Sequence, residues 1–431
     1  MPHGLAAFRH RDYRILWSVQ AGSLTGNWMQ ALAQSWLVLT MTNSPVQLAL
    51  INVCQFGPSL IFGLPAGVIA DRYSKRGVLL LTQAVSGVLT ALLAVVVALG
   101  SVQLWQIYAT ALGLGIVGAI SNPARQAYVV DVVGKDDLVS AVALNSALFN
   151  ASRVVGPAIA GVLLAQVGAA LCFVINAVAY LPVVIGLALL HARGNPEPDA
   201  GDISPWRRLH EGLAYVRRTP EILRPIVMIG VIGTFGMNFS VWMPLLAVQL
   251  GTGAEGFGWL MSALGVGSLI GALGVAFFGR TLGGRGLLLA PVVFGLFEIG
   301  LAVLAGIRGP LMFVLPVATL AGVAMSTTLS LTTTTIQSLI PNALRGRVSS
   351  IFMTVFMGSV PLGALIAGVT SSLVGATGSI AVGGAVVLLV AVIAMASGFA
   401  RARGPDLARA LPPIPVQAGS VPPRAGARGN D

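Results

Sequence analysis

The sequence predicts an all-α polytopic membrane protein in which twelve transmembrane helices form two pseudo-symmetric six-helix bundles. Three observations predict it. Of 431 residues, 56% are hydrophobic and 9% charged, far from the roughly 25% charged residues of a soluble domain. The apolar residues fall into twelve blocks, each long enough to cross a hydrocarbon core of about 30 Å as a helix. A polar insertion, 191–224, divides these blocks six and six. The runs are continuously apolar rather than alternating, which excludes a transmembrane β-barrel, and a helix satisfies its own backbone in lipid.

The first span, 13–41, carries Gln20, Ser23, Asn27, Gln30 and Gln34 at steps of three and four, a polar stripe that cannot face lipid. The second, 46–70, brings Asn52, Gln55 and Ser59 and ends in Gly67, Asp71, Arg72, Lys75 and Arg76. So short a charged loop forces the third span, 77–99, to pack beside the second. The fourth, 102–129, carries Asn122 and Arg125. The fifth, 139–165, carries Ser146, Asn150 and Arg153, then Gly156, Pro157 and Gly161. The sixth, 169–190, closes the first half. In the second half, 225–250 holds Thr234 and Asn238, 256–280 is apolar, and 286–306 contains Glu298. The span 310–337 has Ser326, Ser330, Thr333 and Gln337, and 347–373 and 377–400 complete the set.

The net charge of +11 is explained by position and does not call for nucleic acid. Every Lys and Arg except Arg153 and Arg308 falls at a terminus, in a loop or at the adjoining end of a predicted span, all on one side, so the positive-inside bias places both termini in the cytoplasm. The first residues have no cleavable signal pattern. Cys54 and Cys172 sit inside apolar spans, which offers neither a disulfide framework nor a metal site. No cofactor is expected.

The predicted organisation is an N-terminal bundle (1–190), a cytoplasmic linker (191–224), a C-terminal bundle (225–400) and a disordered Pro-rich basic tail (401–431). Trp206, Leu209, Leu213 and Val216 give the linker one apolar face, read as an amphipathic helix on the anionic leaflet or a solvated linker helix. The halves repeat. Gly156 to Gly161 matches Gly363 to Gly368, Phe149 and Ser152 meet Phe356 and Ser359 at the same offset, and Gln126 corresponds to Gln337 after a small deletion. Such duplication builds a pseudo-symmetric midplane site in transporters.

Phe8 to Trp17, Gly67 to Arg76, Asn122 to Gln126 with Ala143 to Asn145 and Arg153 to Pro157, and Glu211 to Arg218 together resemble the major facilitator superfamily, in its drug-exporter and enterobactin-exporter-like branch. The resemblance implies the major facilitator fold. It implies that Gly67, Asp71, Arg72, Lys75 and Arg76 form a cytoplasmic gate, with Asp71 contacting the helix that starts near Ser349. It further implies that Gly156, Pro157 and Gly161 are an antiporter motif. Related exporters often carry an acid where this chain has Asn27, which leaves the protonation site open.

Arg153 lies roughly 20 Å into its helix, near the bilayer centre, where a guanidinium needs water, an anion or a buried acceptor. The substrate-cavity candidates are Gln20, Asn27, Gln30, Gln34, Asn52, Gln55, Arg125, Asn150, Arg153, Asn238, Ser330 and Gln337. For any one amide, packing between helices competes with ligand contact. Glu298 is the acid deep in an apolar span and the candidate protonation site. His3, His10, His191 and His210 all lie outside the spans, and no phosphate-binding GxxxxGK[ST] loop or catalytic cluster is present, so neither enzyme action nor ATP hydrolysis is expected.

These features lead to a monomeric secondary transporter in the bacterial inner membrane, driven by a proton gradient and exporting a small, largely apolar compound such as a drug, siderophore or secondary metabolite. A solute importer or facilitator, or a lipid-handling membrane protein, is the alternative.

Overall fold

The computed structural model describes residues 3–192, 205–340 and 344–396, and within these the side chains of all but residues 3–4, 63–71, 205–211, 280, 284, 345 and 347. The basic tail, the first part of the linker, the side chain of Asp71 and the linker residues Trp206 and Leu209 therefore lie outside the described side chains. The described residues are helical, with no strand among them. After a short 3-10 turn come α1 (Arg11–Thr42), α2 (Pro45–Arg72), α3 (Lys75–Ala98), α4 (Leu104–Val133), α5 (Leu138–Gln166) and α6 (Ala169–Leu189). A linker helix α7 (Pro205–Arg218) leads to α8 (Pro220–Phe235), α9 (Phe239–Gln249), α10 (Gly253–Gly306), α11 (Leu311–Leu339) and α12 (Arg345–Ala396).

Ten stretches are long and apolar enough to cross a membrane. Twelve crossings are consistent with the same helices once two facts are added. α1 has 32 residues, ample length for a span, but its polar stripe dilutes its hydropathy. α12 has 52 residues, about 78 Å at 1.5 Å per residue, too long for one crossing. It reverses at Gly375, where φ is 76°, as α10 does at Gly283, where φ is 47°. Glycine adopts this left-handed region without a Cβ penalty.

The seventh predicted span, 225–250, is two helices. α8 ends at Phe235 and α9 starts at Phe239. A Cβ at Gly236 would lie 2.7 Å from Val387 Cγ2, so the chain passes close to α12 here. Asn238 Nδ2 donates to the Thr234 carbonyl at 2.7 Å, which satisfies an acceptor that the broken ladder would leave bare.

The packing has two distinct ends. Near the termini, one buried apolar cluster uses only first-half residues such as Tyr13, Leu16, Leu79, Tyr128 and Leu187. A second uses the linker helix and second half, including Val216, Ile222, Ile340, Val348 and Phe352. At the far end one cluster runs through both halves, from Leu32, Leu48 and Leu164 to Trp242, Phe257 and Ala367. Tyr215 and Val216 of α7 are buried in the second of these clusters, so the described part of the amphipathic face packs on protein.

Candidate functional site

Two helix crossings hold the far end together, and both rest on glycine. A Cβ on Gly161 of α5 would sit 2.8 Å from the Gly258 Cα of α10, and one on Gly258 would sit 2.7 Å from the Gly161 Cα. Backbones meet this closely only where side chains are absent. Ser262 Oγ donates to the Val154 carbonyl at 2.9 Å along the same crossing, and Trp36 stacks on Phe257 with centroids 6.2 Å apart. The second crossing is the repeat of the first. A Cβ on Gly368 of α12 would lie 2.6 Å from Ala49 Cβ and 2.9 Å from the Pro45 carbonyl of α2.

The other glycine of each pair packs within its own half. A Cβ on Gly156 would meet Trp28 Cβ at 2.6 Å and the Thr25 carbonyl of α1 at 2.8 Å; one on Gly363 would meet the Thr234 carbonyl of α8 at 2.4 Å. The repeated sequence is thus a repeated pair of contacts, one glycine inward and one across. Pro157 is buried inside α5 beside them.

Toward the terminal end the helices part around a recess of about 170 Å³ lined by Gln20, Leu24, Arg125, Gln126, Val129, Asn145, Leu148 and Phe149. Arg125 donates to Asn122 Oδ1 one turn earlier on α4. Phe149 is 46% exposed, and its ring meets Trp28 edge-on at 5.8 Å. The Arg153 guanidinium stands 5.8 Å from the Trp28 ring centroid, a cation–π contact. Gly156 lets the Trp28 Cβ lie against α5, on the helix that carries Arg153.

The polar stripe of α1 divides. Gln20 lines the recess. Asn27 is exposed, yet its Oδ1 accepts from Tyr180 at 2.7 Å and from Asn176 Nδ2 at 3.2 Å. Gln30 is buried, and its Oε1 accepts from Asn176 Nδ2 at 2.6 Å and Thr90 Oγ1 at 3.1 Å. Gln34 is buried as well. The stripe therefore ties α1 to α3 and α6 as much as it faces the cleft. Asn176, Tyr180 and Thr90 went unsingled in the sequence; the available signal was Asn176 and Tyr180 one turn apart in an otherwise apolar helix.

The remaining candidates scatter. Asn52 is buried and donates to the Leu48 carbonyl of its own helix. Gln55 is half-buried where α2 meets Gly115 of α4. Asn150 donates to the Ser146 carbonyl. Asn238 is buried at the α8–α9 break, Ser330 is half-buried on α11 and Gln337 is exposed near its end. Glu298 is 0% exposed, with both carboxyl oxygens lacking a hydrogen-bond partner among the described residues. Its Cβ lies 3.1 Å from where one on Gly384 would stand, so it is enclosed between α10 and α12, away from the recess.

Of the charged loop after α2, Lys75 and Arg76 are held within the first half. Lys75, 4% exposed, pairs with Asp131 of α4 at 2.9 Å. Arg76 Nε donates to the Leu187 carbonyl at 2.7 Å and a second nitrogen to Ala188, which places a cation on the negative end of α6. Arg72 is exposed. Asp12 accepts from the backbone N–H of His191 at 2.9 Å and of Ala192 at 3.1 Å. Burial pushes its carboxyl up, but the N–H groups of Ala192 and His191, with the His191 ring, outweigh that and hold it below the usual aspartate value.

Residues 3–422 match the family model described as transmembrane secretion effector. The chain is 28% identical over 352 residues to the staphyloferrin A transporter of Staphylococcus aureus, covering 81% of this chain and 87% of that protein. It is 26% identical over 387 residues to the enterobactin exporter EntS of Shigella boydii, covering 89% and 91%. Its fold superposes with a TM-score of 0.66 on a bacterial homologue of the iron transporter ferroportin in an inward-facing state, at 17% identity and covering 91% of this chain and 99% of the other.

Proposed function

Because the chain belongs to the transmembrane secretion effector family of major facilitator transporters, we propose that it exports a small, largely apolar compound, of the drug, siderophore or secondary-metabolite kind, across the bacterial inner membrane. A proton gradient drives the cycle, and both termini face the cytoplasm. The observation that carries this reading is the one-sided packing: glycine crossings join α5 to α10 and α2 to α12 at the far end, whereas the terminal ends of the halves keep separate apolar cores. Rocking about the midplane would open the first set of contacts and bring the terminal ends together.

In this cycle Gly67, Asp71, Arg72, Lys75 and Arg76 act as the terminal-side gate, and Gly156, Pro157 and Gly161 act as the hinge surface of the export motif. Glu298 is the candidate proton carrier; enclosed between α10 and α12, it exchanges its proton only when these helices shift. The chain acts as a monomer, with residues 1–190 and 225–400 as the moving bodies. Dye accumulation in cells tests the direction: expression lowers it, and a protonophore restores it. Accumulation that rises with expression would contradict export.

A further inference from the structure

Two guanidinium groups stand in the first half of the membrane-spanning region with no carboxylate paired to them among the described side chains. Among the described residues Arg153 lies over the Trp28 ring, and Arg125 donates to the neutral amide of Asn122. The acids that could serve them are engaged or distant. Asp131 pairs with Lys75, Asp137 with His10 at 2.9 Å, and Asp12 caps the backbone after α6. Asp136 is exposed in the loop before α5. In the other half Glu255 accepts from Trp259 at the far end, Glu221 begins α8, and Glu298 is enclosed.

The second half does without these cations. At the repeat offset that matches Gly156 to Gly363, Arg153 corresponds to Val360, and at the offset that matches Gln126 to Gln337, Arg125 corresponds to Ile336. Apolar residues fill the equivalent places in the second half, Ile336 among its buried core. A cation kept near the membrane centre at such a desolvation cost marks a ligand path.

The two cations also share an apolar platform. Phe149 lines the recess with Arg125 and contacts Trp28, over which Arg153 lies. From this arrangement, and resting on the export reading above, we infer that the recess takes an amphiphilic organic acid: Arg125 receives its carboxylate, Arg153 adds positive charge beside the recess, and Trp28 and Phe149 take its apolar body. The planar guanidinium fork matches a carboxylate, and Gln20, Gln126 and Asn145 supply neutral polar contacts around the recess.

The test uses the purified full chain and a matched pair of fluorescent probes, pyrenebutyrate and its neutral analogue pyrenebutanol. The acid binds about ten-fold tighter than the alcohol, equivalent to about 1.4 kcal/mol. Arg125→Gln and Arg153→Gln each narrow that preference, the double variant removes it, and pyrenebutanol affinity stays level throughout. Arg153→Lys, which keeps the charge, retains part of it. If Arg153→Gln does not give monodisperse protein, Arg125→Gln and Arg153→Lys carry the comparison. Equal binding of the two probes, or a preference that survives in Arg125→Gln, overturns the inference. Displacement of pyrenebutyrate by phosphatidylglycerol but not by naphthoate assigns the cations to a lipid headgroup and also overturns it. Proton-driven export of a neutral dye without an acid preference would leave the export reading standing; an acid preference without proton-driven transport would do the reverse.

Discussion

At the residue scale, Asp12 offers the cleanest pH dependence. Its carboxyl is held below the ordinary aspartate value, so the folded pKa lies under an unfolded value of about 3.9. Its stabilisation is therefore complete above about pH 4 and is lost as pH falls through the depressed folded value. Thermal unfolding in detergent should show a midpoint that drops in this acid window, and Asp12→Asn should flatten the drop while lowering the midpoint at neutral pH. An unchanged acid limb would remove Asp12 from the account. The charged loop after α2 carries a second residue-scale prediction. The second-half counterpart, Gly279 to Arg285, has no acid, so Asp71→Asn should impair transport more than Arg280→Ala in the same efflux assay. Equal losses would make the cluster a sidedness signal and nothing more. Single residues were also where the sequence was hardest to read. Asn27 and Gln30 stood out as one polar stripe, but an amide whose oxygen accepts from Asn176 on α6 and one that faces a cleft look alike in a linear chain.

At the element scale, the membrane spans were legible because a helix in lipid must announce itself by an apolar run of about 20 residues. The break between α8 and α9 was not, because Gly236 and Asn238 sit inside a largely apolar run, and the close approach of Val387 from α12 at Gly236 is a tertiary contact. The repeat was legible as letters, and the structure gives it a physical content: Gly156 and Gly363 pack inward, Gly161 and Gly368 pack across. This makes a sharp prediction. Gly161→Val would force a branched side chain against the Gly258 Cα and should lower efflux about ten-fold, as a loss of about 1.4 kcal/mol in the closed far-end state would do. Gly156→Val, which clashes with Trp28 inside one half, should instead lower the thermal midpoint and the yield of folded protein. If both variants behaved alike, the division of roles between the two glycines would fail.

At the scale of the whole molecule, the two halves share one apolar core at the far end and keep separate cores at the terminal end. A polar maleimide applied from the terminal side should therefore label Phe149→Cys rapidly and Ala160→Cys hardly at all, since Phe149 is 46% exposed and Ala160 is fully buried. Native Cys172 is buried and should stay silent, and Cys54 is first replaced by serine. The most direct measurement is uptake of a fluorescent substrate into inside-out membrane vesicles with an imposed pH gradient. Proton-driven export predicts accumulation in the vesicle lumen when the lumen is acid, collapse of that accumulation on adding a protonophore, and its absence in vesicles lacking the chain. Accumulation that is indifferent to the gradient, or that appears only in right-side-out vesicles, would contradict the account.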